Sequence, residues 1–278
     1  MAPQMTVTAN KFKMPELMGI INVTPDSFSD GGACNTVETA LRRAGELLRD
    51  GAAILDIGGE STRPGAMRIP DLEEIRRVVP VIRAIRETYP VCRISVDTRK
   101  AAVAAAALEA GADMVNDVSG LTFDPALASA AAAADAELVI GHTRGTPEVM
   151  RDPENCRYTD VVEEIAAFWR CAAEQAVSAG VAREKLIFDP CPGFSKSAEQ
   201  DWEMIRRMEE WRSFGRLLIG HSRKSFLGTL PGLENPADRD AATGAVSLYA
   251  AAHGASILRV HNVKMSAQIL MVWQKLLR

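Results

Sequence analysis

Residues 93–111 read Arg-Ile-Ser-Val-Asp-Thr-Arg-Lys-Ala-Ala-Val-Ala-Ala-Ala-Ala-Leu-Glu-Ala-Gly. The stretch begins with a short apolar run at 93–96, passes through a polar turn, and enters a longer run at 100–110 with helical periodicity. Gly111 follows that run at the position where a left-handed residue commonly ends a helix. The stretch therefore predicts one strand followed by one helix, with Asp97 as the first polar side chain after the strand.

The same pattern recurs along the whole chain. Each apolar run is short and rich in Ile, Val and Leu, as strands that are buried on both faces must be. The eight runs are Leu17–Ile21, Ala53–Leu55, Arg93–Val96, Met114–Val115, Glu137–Ile140, Leu186–Phe188, Leu217–Ile219 and Ser256–Val260. The helical candidates are 37–50, a helix that opens at Asp71, 100–110, 125–134, 159–180, 199–212, 239–253 and 265–277.

Eight strands, each followed by a helix with a right-handed crossover, predict an α/β fold of the single-domain (β/α)8 TIM-barrel type. We expect the barrel to span residues 16–278 and residues 1–15 to form an N-terminal extension. A doubly wound open sheet is the alternative. That fold usually carries a G-x-G-x-x-G pattern after its first strand, and the sequence has none.

Local signals predict where several helices begin and end. Asp71 followed by Glu74 has the spacing of a capping box at the start of the second helix. Glycines that follow helical runs predict left-handed ends for four helices. These glycines are Gly51, Gly111, Gly180 and Gly254.

The composition excludes several classes of protein. Of the 278 residues, 47% are hydrophobic and 24% are charged, which is typical of a chain that buries a core and stays soluble. A net charge of -4 gives no basic footprint for nucleic acid, and the alanine-rich stretches are too short and too interrupted for a membrane span. The five cysteines are scattered without a Cys-x-x-Cys pair, which argues against a disulfide framework and a zinc site. We therefore expect a cytoplasmic protein with no nucleic-acid or membrane partner.

Polar side chains follow the predicted strands, where a barrel of this type builds its active site. Any one of them alone is explained by capping the next helix, but capping does not explain all of them together. The first polar residues after the eight runs are Asn22, Asp56, Asp97, Asn116, His142, Asp189, His221-Ser222 and His261.

Asp97, Asn116 and Asp189 combine two carboxylates with an amide. Such a set binds a flat heterocycle that carries an amino group and ring N–H donors, because paired carboxylates accept from an N–C–N edge. The same carboxylates could instead act as the acid and base of a glycosidase. We rank that alternative lower because no sugar-stacking aromatic residues cluster near them.

Basic side chains follow other strands against an acidic background. Arg63, Arg223-Lys224, Arg259 and His261 therefore predict an anion pocket. The glycine-rich loop 58–65 adds backbone N–H groups and hydroxyls that can approach an anion. Together the two sets indicate a ligand that has an amino-bearing ring and one or two anionic groups.

Longer motifs carry a family resemblance. Met-Gly-Ile-Ile-Asn-Val-Thr-Pro-Asp-Ser-Phe-Ser-Asp-Gly-Gly at 18–32 and Asp-Ile-Gly-Gly-Glu-Ser-Thr-Arg-Pro-Gly at 56–65 closely resemble the two opening signatures of the dihydropteroate synthase family. The resemblance runs from about residue 17 to the C-terminus, and its further motifs follow in the family's order. They lie at 95–98, 115–117, 189–196, 222–228 and 259–261.

The resemblance implies a transferase of folate biosynthesis that depends on Mg²⁺. Such an enzyme joins 7,8-dihydropterin-6-ylmethyl diphosphate to 4-aminobenzoate and releases diphosphate and 7,8-dihydropteroate. The loops 23–32 and 60–68 would close over the reactants. A homodimer through outer helices is also implied, and the apolar last helix is compatible with it.

The resemblance also implies a role for each matching residue. The pterin set is Asp97, Asn116, Asp189 and Lys224; the diphosphate set is Asn22, Thr62, Arg259 and His261; the aminobenzoate set is Thr62, Arg63, Pro64, Phe194 and Ser222; the metal ligand is Asn22, with Asp30 as a weaker second contact. Catalysis is expected to be electrostatic, through Asp97, Asp189, Arg259 and His261, with no covalent nucleophile.

Some positions depart from the usual family pattern. Gly141 stands where many members have Met, so we expect a lost packing contact beside the pterin, and Arg144 is expected to add a charge near the mouth. Cys191-Pro192 and Ser195 replace a glycine-rich loop, which Pro192 should stiffen. Asn262 replaces a common Asp after His261 and leaves that spot without a negative charge.

Two other functions remain as alternatives. One is a pterin-binding methyltransferase domain that hands a methyl group to a corrinoid protein, and the other is a catalytically silent pterin-binding barrel. The loop around Arg63 and the Ser-Arg-Lys-Ser motif at 222–225 argue against the first, because they serve a second substrate. The presence of Arg63, Asp30 and His261 argues against the second.

Overall fold

The chain folds into a closed barrel of eight parallel strands, as a computed structural model that describes residues 14–24 and 37–277 shows. Neighbouring strands in the barrel are neighbours in sequence, and β1 pairs with β8 to close it. The strands are β1 Glu16–Asn22, β2 Ile54–Gly58, β3 Arg93–Asp97, β4 Met114–Asp117, β5 Glu137–Gly141, β6 Leu186–Asp189, β7 Arg216–Ile219 and β8 Ile257–Val260. The predicted (β/α)8 barrel is confirmed, and its closure excludes the open sheet.

A helix follows each strand and packs outside the barrel. The helices are α1 Val37–Arg49, α2 Asp71–Thr88, α3 Ala101–Glu109, α4 Leu127–Ala133, α5 Val161–Ser178, α6 Ala198–Arg207, α7 Asp240–Ala252 and α8 Val263–Leu276. The predicted helix 199–212 is divided, because α6 ends at Arg207 and the chain continues as a 3₁₀ turn over Met208–Phe214. None of the helices in the described part of the chain has the length and hydrophobicity that crossing a membrane requires.

The predicted helix ends have mixed outcomes. All four predicted end glycines adopt positive φ angles, as expected: Gly51, Gly111, Gly180 and Gly254. The prediction of a capping box at the start of α2 was wrong. Pro70 is the N-cap, and no side chain caps this helix end. Glu74 is buried and instead accepts a hydrogen bond from Lys100.

A ring of four charged side chains closes the amino-terminal end of the barrel interior. Glu16, Arg93, Glu137 and Arg216 come from β1, β3, β5 and β7, the alternate strands that share a layer in such a barrel. Arg93 lies 2.8 Å from Glu16, and Arg216 lies 3.5 Å from it. Both arginines also pair with Glu137. The ring therefore neutralises its own charges at the end of the barrel that faces away from the predicted site.

Apolar side chains fill the barrel above this ring. The interior cluster consists of Met18, Ile54, Met114, Val139, Ile187, Leu218 and Ile257. A larger apolar core lies between the strands and the helices, where Trp169 and Trp211 are buried with their rings 5.1 Å apart. The interior of the barrel is therefore filled by side chains at this level.

Three predictions lie partly or wholly outside the described residues. They concern the extension 1–15, the loop 23–32 and Asp30. The division at residues 15 and 16 agrees with the first strand, which begins at Glu16, but the extension itself stays a prediction.

Candidate active site

The floor of the mouth is a polar layer. Side chains alternate between the inside and the outside along a strand, so the residue two positions beyond an interior apolar residue also points inward. On the even-numbered strands these residues form one layer above the apolar cluster. They are Asp56 on β2, Asn116 on β4, Asp189 on β6 and Arg259 on β8.

The odd-numbered strands supply the next layer, and two of its members are glycines. Asp97 ends β3, while Gly141 ends β5 and Gly220 directly follows β7. A Cβ on Gly220 would lie 3.3 Å from an oxygen of Asp189. Gly220 therefore leaves the space above Asp189 free of a side chain.

Arg259 lies across this floor. Its Nε donates to Asp56 at 2.6 Å, and its Nη2 donates to Asp97 at 2.6 Å. Asn116 donates to the same oxygen of Asp56 at 3.3 Å. Although burial alone would lower the pKa of Arg259, the carboxylates of Asp56 and Asp97 raise it above its usual range. The structure thus places Arg259, predicted in the diphosphate set, in direct contact with the pterin set.

The two predicted pterin carboxylates are both in low-polarity surroundings. Burial raises the pKa of Asp97 to about 7, with Asp56 and Glu74 adding to the rise and Arg259 opposing it. Burial also raises the pKa of Asp189, whose Oδ1 accepts the backbone N–H of Cys191 at 2.8 Å. A ligand that donates hydrogen bonds to such buried carboxylates stabilises their ionised form.

Lys224 lies between the predicted pterin and aminobenzoate sets. Its Nζ is 3.7 Å from the centre of the Phe194 ring, which is a cation–π contact. Burial lowers the pKa of Lys224 to about 8, and the nearby Arg259 lowers it further. The ammonium group is therefore still protonated at neutral pH, but by a small margin.

The predicted diphosphate residues Asn22 and His261 share a cavity of about 510 Å³. Three guanidinium groups also line it, those of Arg42, Arg43 and Arg223, against one carboxylate, that of Asp50. Such a surface suits a polyanion. This cavity is the basic end of the mouth.

His261 is uncharged in this environment. Burial lowers its pKa to about 3, and the charges of Arg259 and Arg223 contribute. Its Nδ1 lies 2.9 Å from Ser222 Oγ, and its backbone N–H donates to the same oxygen at 3.2 Å. Ser222, predicted in the aminobenzoate set, therefore orients the imidazole of a diphosphate residue.

A second cavity, of about 190 Å³, lies at the other end of the mouth. Thr62 and Phe194 line it together with Phe123 and Met150. Thr62 was predicted in both the diphosphate and the aminobenzoate sets, and the structure places it at this aromatic end. Arg63 and Pro64 follow Thr62 in the same loop and are exposed.

His142 and His221 were wrongly predicted to join the ring at the mouth. Each lies one residue beyond an inward glycine, Gly141 or Gly220, and therefore points outward. His221 Nε2 lies 2.8 Å from Ser247 Oγ on α7, and burial lowers the pKa of His221 to about 4. His142 packs edge-on against a phenylalanine ring of α5.

The Gly141 departure leaves no gap beside the pterin set. A Cβ at this position would lie 2.6 Å from Val118 Cα and 2.7 Å from the backbone oxygen of Asp117. The backbone that leaves β4 thus occupies the space. We expected a packing contact to be missing at Gly141, but the main chain after β4 supplies one.

Arg144 does not add a charge to the mouth. Its guanidinium bonds to Glu164 on α5 at 2.6 Å and lies 3.8 Å from the centre of the Tyr158 ring. Its charge is therefore paired on the outer side of the loop that follows β5. The expectation that Arg144 adds a charge near the mouth was wrong, because Glu164 on α5 pairs with the side chain.

The loop that follows β6 contains two left-handed residues that are not glycine. Cys191 has a φ of 51° and Ser195 a φ of 47°. Ser195 Oγ accepts the backbone N–H of Arg144 at 2.8 Å. Lys196 is completely buried, and its Nζ donates to the backbone oxygens of His142 and Phe194 at 2.9 Å each. These bonds hold the loop in a single conformation.

Asn262 has a negative charge beside it. Its amide donates to Asp240 at 2.9 Å, and its oxygen accepts the backbone N–H of Met265 as the cap of α8. Asp240 also forms a two-point ion pair with Arg223. Position 262 itself carries no negative charge, as expected, but Asp240 on α7 places one beside it.

Sequence reasoning missed a buried charged cluster beside the loop of Arg63. It consists of Glu60, Glu74, Arg99 and Lys100, joined by ion pairs of 2.7 to 3.1 Å. The available signal was the pair Arg99-Lys100 directly after the third strand, where an apolar helix begins. Its partners on the β2–α2 segment could not be recognised without the fold.

Across residues 14–24 and 37–277, no three His, Cys, Asp or Glu side chains form a group that could hold a metal ion. Asn22 offers one amide oxygen at the edge of the basic cavity. Mg²⁺ is commonly held by few protein oxygens together with substrate phosphates and water. The donor set therefore fits a magnesium ion that arrives with a diphosphate, rather than one held by the protein alone.

The chain is similar to known proteins over nearly all its length. A model of the pterin-binding enzyme family matches residues 18–261. The dihydropteroate synthase of Synechocystis is 44% identical over 267 residues, which cover 96% of this chain and 91% of that protein. The dihydropteroate synthase of Streptococcus pyogenes serotype M3 is 43% identical over 94% of this chain and 95% of that protein.

Solved structures agree with these relatives. The Yersinia pestis dihydropteroate synthase with a sulfonamide drug matches with a TM-score of 0.88 and 39% identity, over 95% of this chain and 94% of that one. The Xanthomonas albilineans enzyme in complex with 7,8-dihydropteroate matches with a TM-score of 0.85 and 38% identity, over 96% and 95% of the two chains. With its polar mouth between a basic and an aromatic cavity, the chain belongs to the dihydropteroate synthase family of pterin-binding enzymes.

Proposed function

We propose that the mouth of the barrel binds the reactants of dihydropteroate synthesis in a row. The chain is a transferase of folate biosynthesis, which joins a dihydropterin methyl diphosphate to 4-aminobenzoate. The diphosphate occupies the basic cavity, the pterin lies over the polar floor, and aminobenzoate enters at the aromatic cavity. The observation that carries this arrangement is the position of the polar floor between two cavities of opposite character.

The pterin is held by its hydrogen-bonding edge. Asp97 and Asp189 accept from its amino group and ring N–H groups, while the Asn116 amide both donates and accepts. Lys224 donates to the carbonyl side of the ring. Ionised carboxylates in a buried site also stabilise positive charge that develops on the pterin as the diphosphate departs.

The diphosphate is bound by donors at the other end. Ser222 Oγ accepts the backbone N–H of His261, so its hydroxyl proton is free to bond to Nδ1. When the hydroxyl donates to Nδ1, the proton of the neutral imidazole is on Nε2, where it can be donated to the leaving group. Arg259 adds a fixed positive charge.

We further propose that Asn22 holds Mg²⁺ together with the diphosphate oxygens. Asp30, which lies outside the described residues, would be a second ligand. When bound, the ion supplies positive charge to the leaving diphosphate. The oxygen donors of Asn22 and of a diphosphate fit the preference of Mg²⁺ for hard ligands.

The reaction needs no covalent bond between the enzyme and a reactant. The methylene C–O bond breaks, and diphosphate leaves with the electron pair. The amine nitrogen of aminobenzoate then forms the C–N bond and loses a proton. Thr62, Arg63, Pro64 and Phe194 position this second reactant. The amine is a neutral nucleophile, so the site does not need a strong general base.

The test is diphosphate release from dihydropterin methyl diphosphate with Mg²⁺, measured with and without 4-aminobenzoate, with the pterin product identified. Release coupled to dihydropteroate formation supports the proposal. Folded protein that binds the pterin and forms no dihydropteroate overturns it. In that case, methyl transfer to a corrinoid protein would support the alternative methyltransferase reading, and no transfer would support the silent barrel.

We also propose that two copies associate through α8. Its inner residue Leu270 is buried against the barrel, while Met271, Val272 and Leu276 are 58%, 61% and 74% exposed. Apolar side chains grouped on an outer face are typical of an interaction surface. Light scattering is expected to give twice the chain mass, and Val272→Asp to give the mass of one chain. A single-chain mass for the unchanged protein would contradict this.

A cytoplasmic location is likewise proposed. The described cysteines, Cys92, Cys156, Cys171 and Cys191, are all free thiols, as is usual in a reducing compartment. Fractionation of cells that produce the protein tests this location, and recovery with secreted or membrane fractions would contradict it.

A further inference from the structure

Four charged side chains are buried behind the loop that carries Arg63. Glu60, Glu74, Arg99 and Lys100 are only 9%, 1%, 5% and 1% exposed. We call these four residues the loop anchor. They carry two positive and two negative charges, so the group is balanced. They come from three separate parts of the chain: the loop after β2, helix α2 and the turn between β3 and α3.

Lys100 is the centre of the loop anchor. Its Nζ donates to Glu60 at 2.7 Å, to Glu74 at 2.7 Å and to the backbone oxygen of Ile69 at 2.8 Å. The backbone N–H of Ile69 donates to the same oxygen of Glu60 at 2.8 Å. Both polar backbone groups of Ile69 are thus bound, and the two ends of the segment 60–69 are tied together.

The segment between these ends contains the predicted aminobenzoate residues. Thr62, Arg63 and Pro64 lie within it, and its tip makes one backbone hydrogen bond to the loop after β5, from Gly65 to Pro147 at 2.9 Å. Arg63 and Pro64 are exposed. The base of the loop is therefore fixed by buried bonds, while its tip is held by few.

The loop anchor is also joined to the pterin side of the site. Lys100 is only three residues beyond Asp97, the last residue of β3. A rigid strand end and a buried lysine thus connect the carboxylate to the loop. Burying charged groups is costly, and well-packed apolar residues in their place are often as stable or more so. A role in stability alone therefore does not account for the cluster.

We propose that the loop anchor is a positioning device for the second substrate. Lys100 holds the base of the loop 60–69 at a fixed distance from Asp97, so that Thr62 and Arg63 present aminobenzoate to the bound pterin. This inference rests on the proposed function. It assigns Lys100, Glu60 and Glu74 a role in the KM for aminobenzoate, although none of them touches a reactant.

The test compares a variant that leaves a buried charge unpaired with one that removes a positive and a negative charge together. The comparison separates an effect on the position of the loop from an effect on the stability of the protein. Lys100→Met leaves Glu74 as an unpaired buried carboxylate, so this variant is expected to be less stable. The double variant Lys100→Met/Glu74→Leu removes one charge of each sign and is expected to regain stability. The loop anchor predicts that both variants raise the KM for aminobenzoate about tenfold or more, a change of roughly 1.4 kcal/mol in apparent binding.

The other kinetic constants supply the controls. The KM for the pterin diphosphate is expected to change much less than the KM for aminobenzoate in the double variant, because Asp97, Asn116 and Asp189 keep their side chains and the loss of Glu74 only lowers the pKa of Asp97 toward its usual value. Glu74→Gln, which keeps the volume and an oxygen acceptor for Lys100, should leave the KM for aminobenzoate near that of the unchanged protein. A stable double variant with an unchanged KM for aminobenzoate overturns the proposal.

Hydrogen exchange on the unchanged protein gives a test that needs no variant. The Ile69 amide donates to a buried carboxylate, so it is expected to exchange much more slowly than the amide of the exposed Arg63. Equally fast exchange at Ile69 would overturn the loop anchor. Failure of the proposed function is distinguishable, because the unchanged protein would then form no dihydropteroate.

Discussion

At the scale of single residues, Lys224 and Asp97 are two members of the predicted pterin set whose pKa values lie near neutral pH. Burial lowers the pKa of Lys224 to about 8 and raises that of Asp97 to about 7. Lys224 carries its positive charge below its pKa, and Asp97 carries its negative charge above its pKa. These are the charge states in which each is proposed to bind the pterin. The free enzyme therefore has both charges in place only over a narrow range of pH.

We accordingly predict that kcat/KM for the pterin diphosphate rises with pH through about 7 and falls above about 8. Lys224→Arg keeps its charge to much higher pH, so the alkaline decline should move upward while the acid limb stays. The alkaline limb is the cleaner test, because the substrate's own phosphate also titrates near the acid limb. An alkaline decline that is unchanged in the arginine variant would contradict the assignment.

Cys191 has a backbone conformation that favours glycine. With a φ of 51°, any side chain at this position crowds the following carbonyl group. Cys191→Gly is therefore predicted to be about 1 kcal/mol more stable than Cys191→Ala, since the two differ only in the strained Cβ. Urea denaturation of both variants measures the difference. Equal stability would show that this backbone is not strained.

At the scale of strands and helices, the apolar runs located every strand, and in most cases the structure extends them. The second strand is predicted at 53–55 and is observed at 54–58, because Asp56 and Gly58 still pair in the sheet although they are not apolar. It was harder to predict which side chains at the strand ends point into the barrel and which point outward. His142 and His221 seemed equivalent to Asp97, but each lies one position beyond an inward glycine, and one position reverses the direction of a side chain.

Gly141 and Gly58 provide a matched pair at the rim. An alanine Cβ at 141 would lie 2.6 Å from the Val118 backbone, whereas at 58 its nearest neighbours are 3.6 Å away. Gly141→Ala is therefore predicted to lower the free energy of unfolding by about 2 kcal/mol, and Gly58→Ala by less than about 1 kcal/mol.

Of these two variants, Gly58→Ala is the one expected to affect the site. Gly58→Ala places a methyl group between Asn22 and Asp97, so we expect a higher KM for the pterin diphosphate in a protein that remains stable. Thermal unfolding and steady-state kinetics together measure both effects. A Gly141→Ala variant as stable as Gly58→Ala would show that the close approach of Val118 is wrong.

At the scale of the whole molecule, the barrel has a structural end and a functional end. The ring of Glu16, Arg93, Glu137 and Arg216 closes the first, and the polar floor with its two cavities forms the second. The barrel, the order of its elements and most residues of the mouth could be predicted from the strand-end pattern and the family motifs. The ion pairs of Arg259 and the loop anchor could not, because their partners lie far apart in sequence and meet only after the barrel closes.

The separation of the two ends predicts an effect on stability without an effect on catalysis. Glu137→Gln removes the charge that pairs with both Arg93 and Arg216, and we expect it to lower the free energy of unfolding by about 1–2 kcal/mol. Glu163→Gln, which breaks an exposed pair with Arg170, should cost less than about 0.5 kcal/mol. Both variants should keep the kcat of the unchanged protein, and a lower kcat for Glu137→Gln would contradict this division of roles.

The measurement that tests the account most directly is a crystal structure of the protein with dihydropterin methyl diphosphate and Mg²⁺. We expect the amino-pyrimidine edge of the pterin to lie within hydrogen-bonding distance of Asp97 and Asp189. We expect the diphosphate to lie beside Asn22 and His261. The aromatic cavity at Thr62 and Phe194 should remain open for aminobenzoate. A pterin ring in that cavity, or a diphosphate away from His261, would contradict the arrangement of the reactants along the mouth.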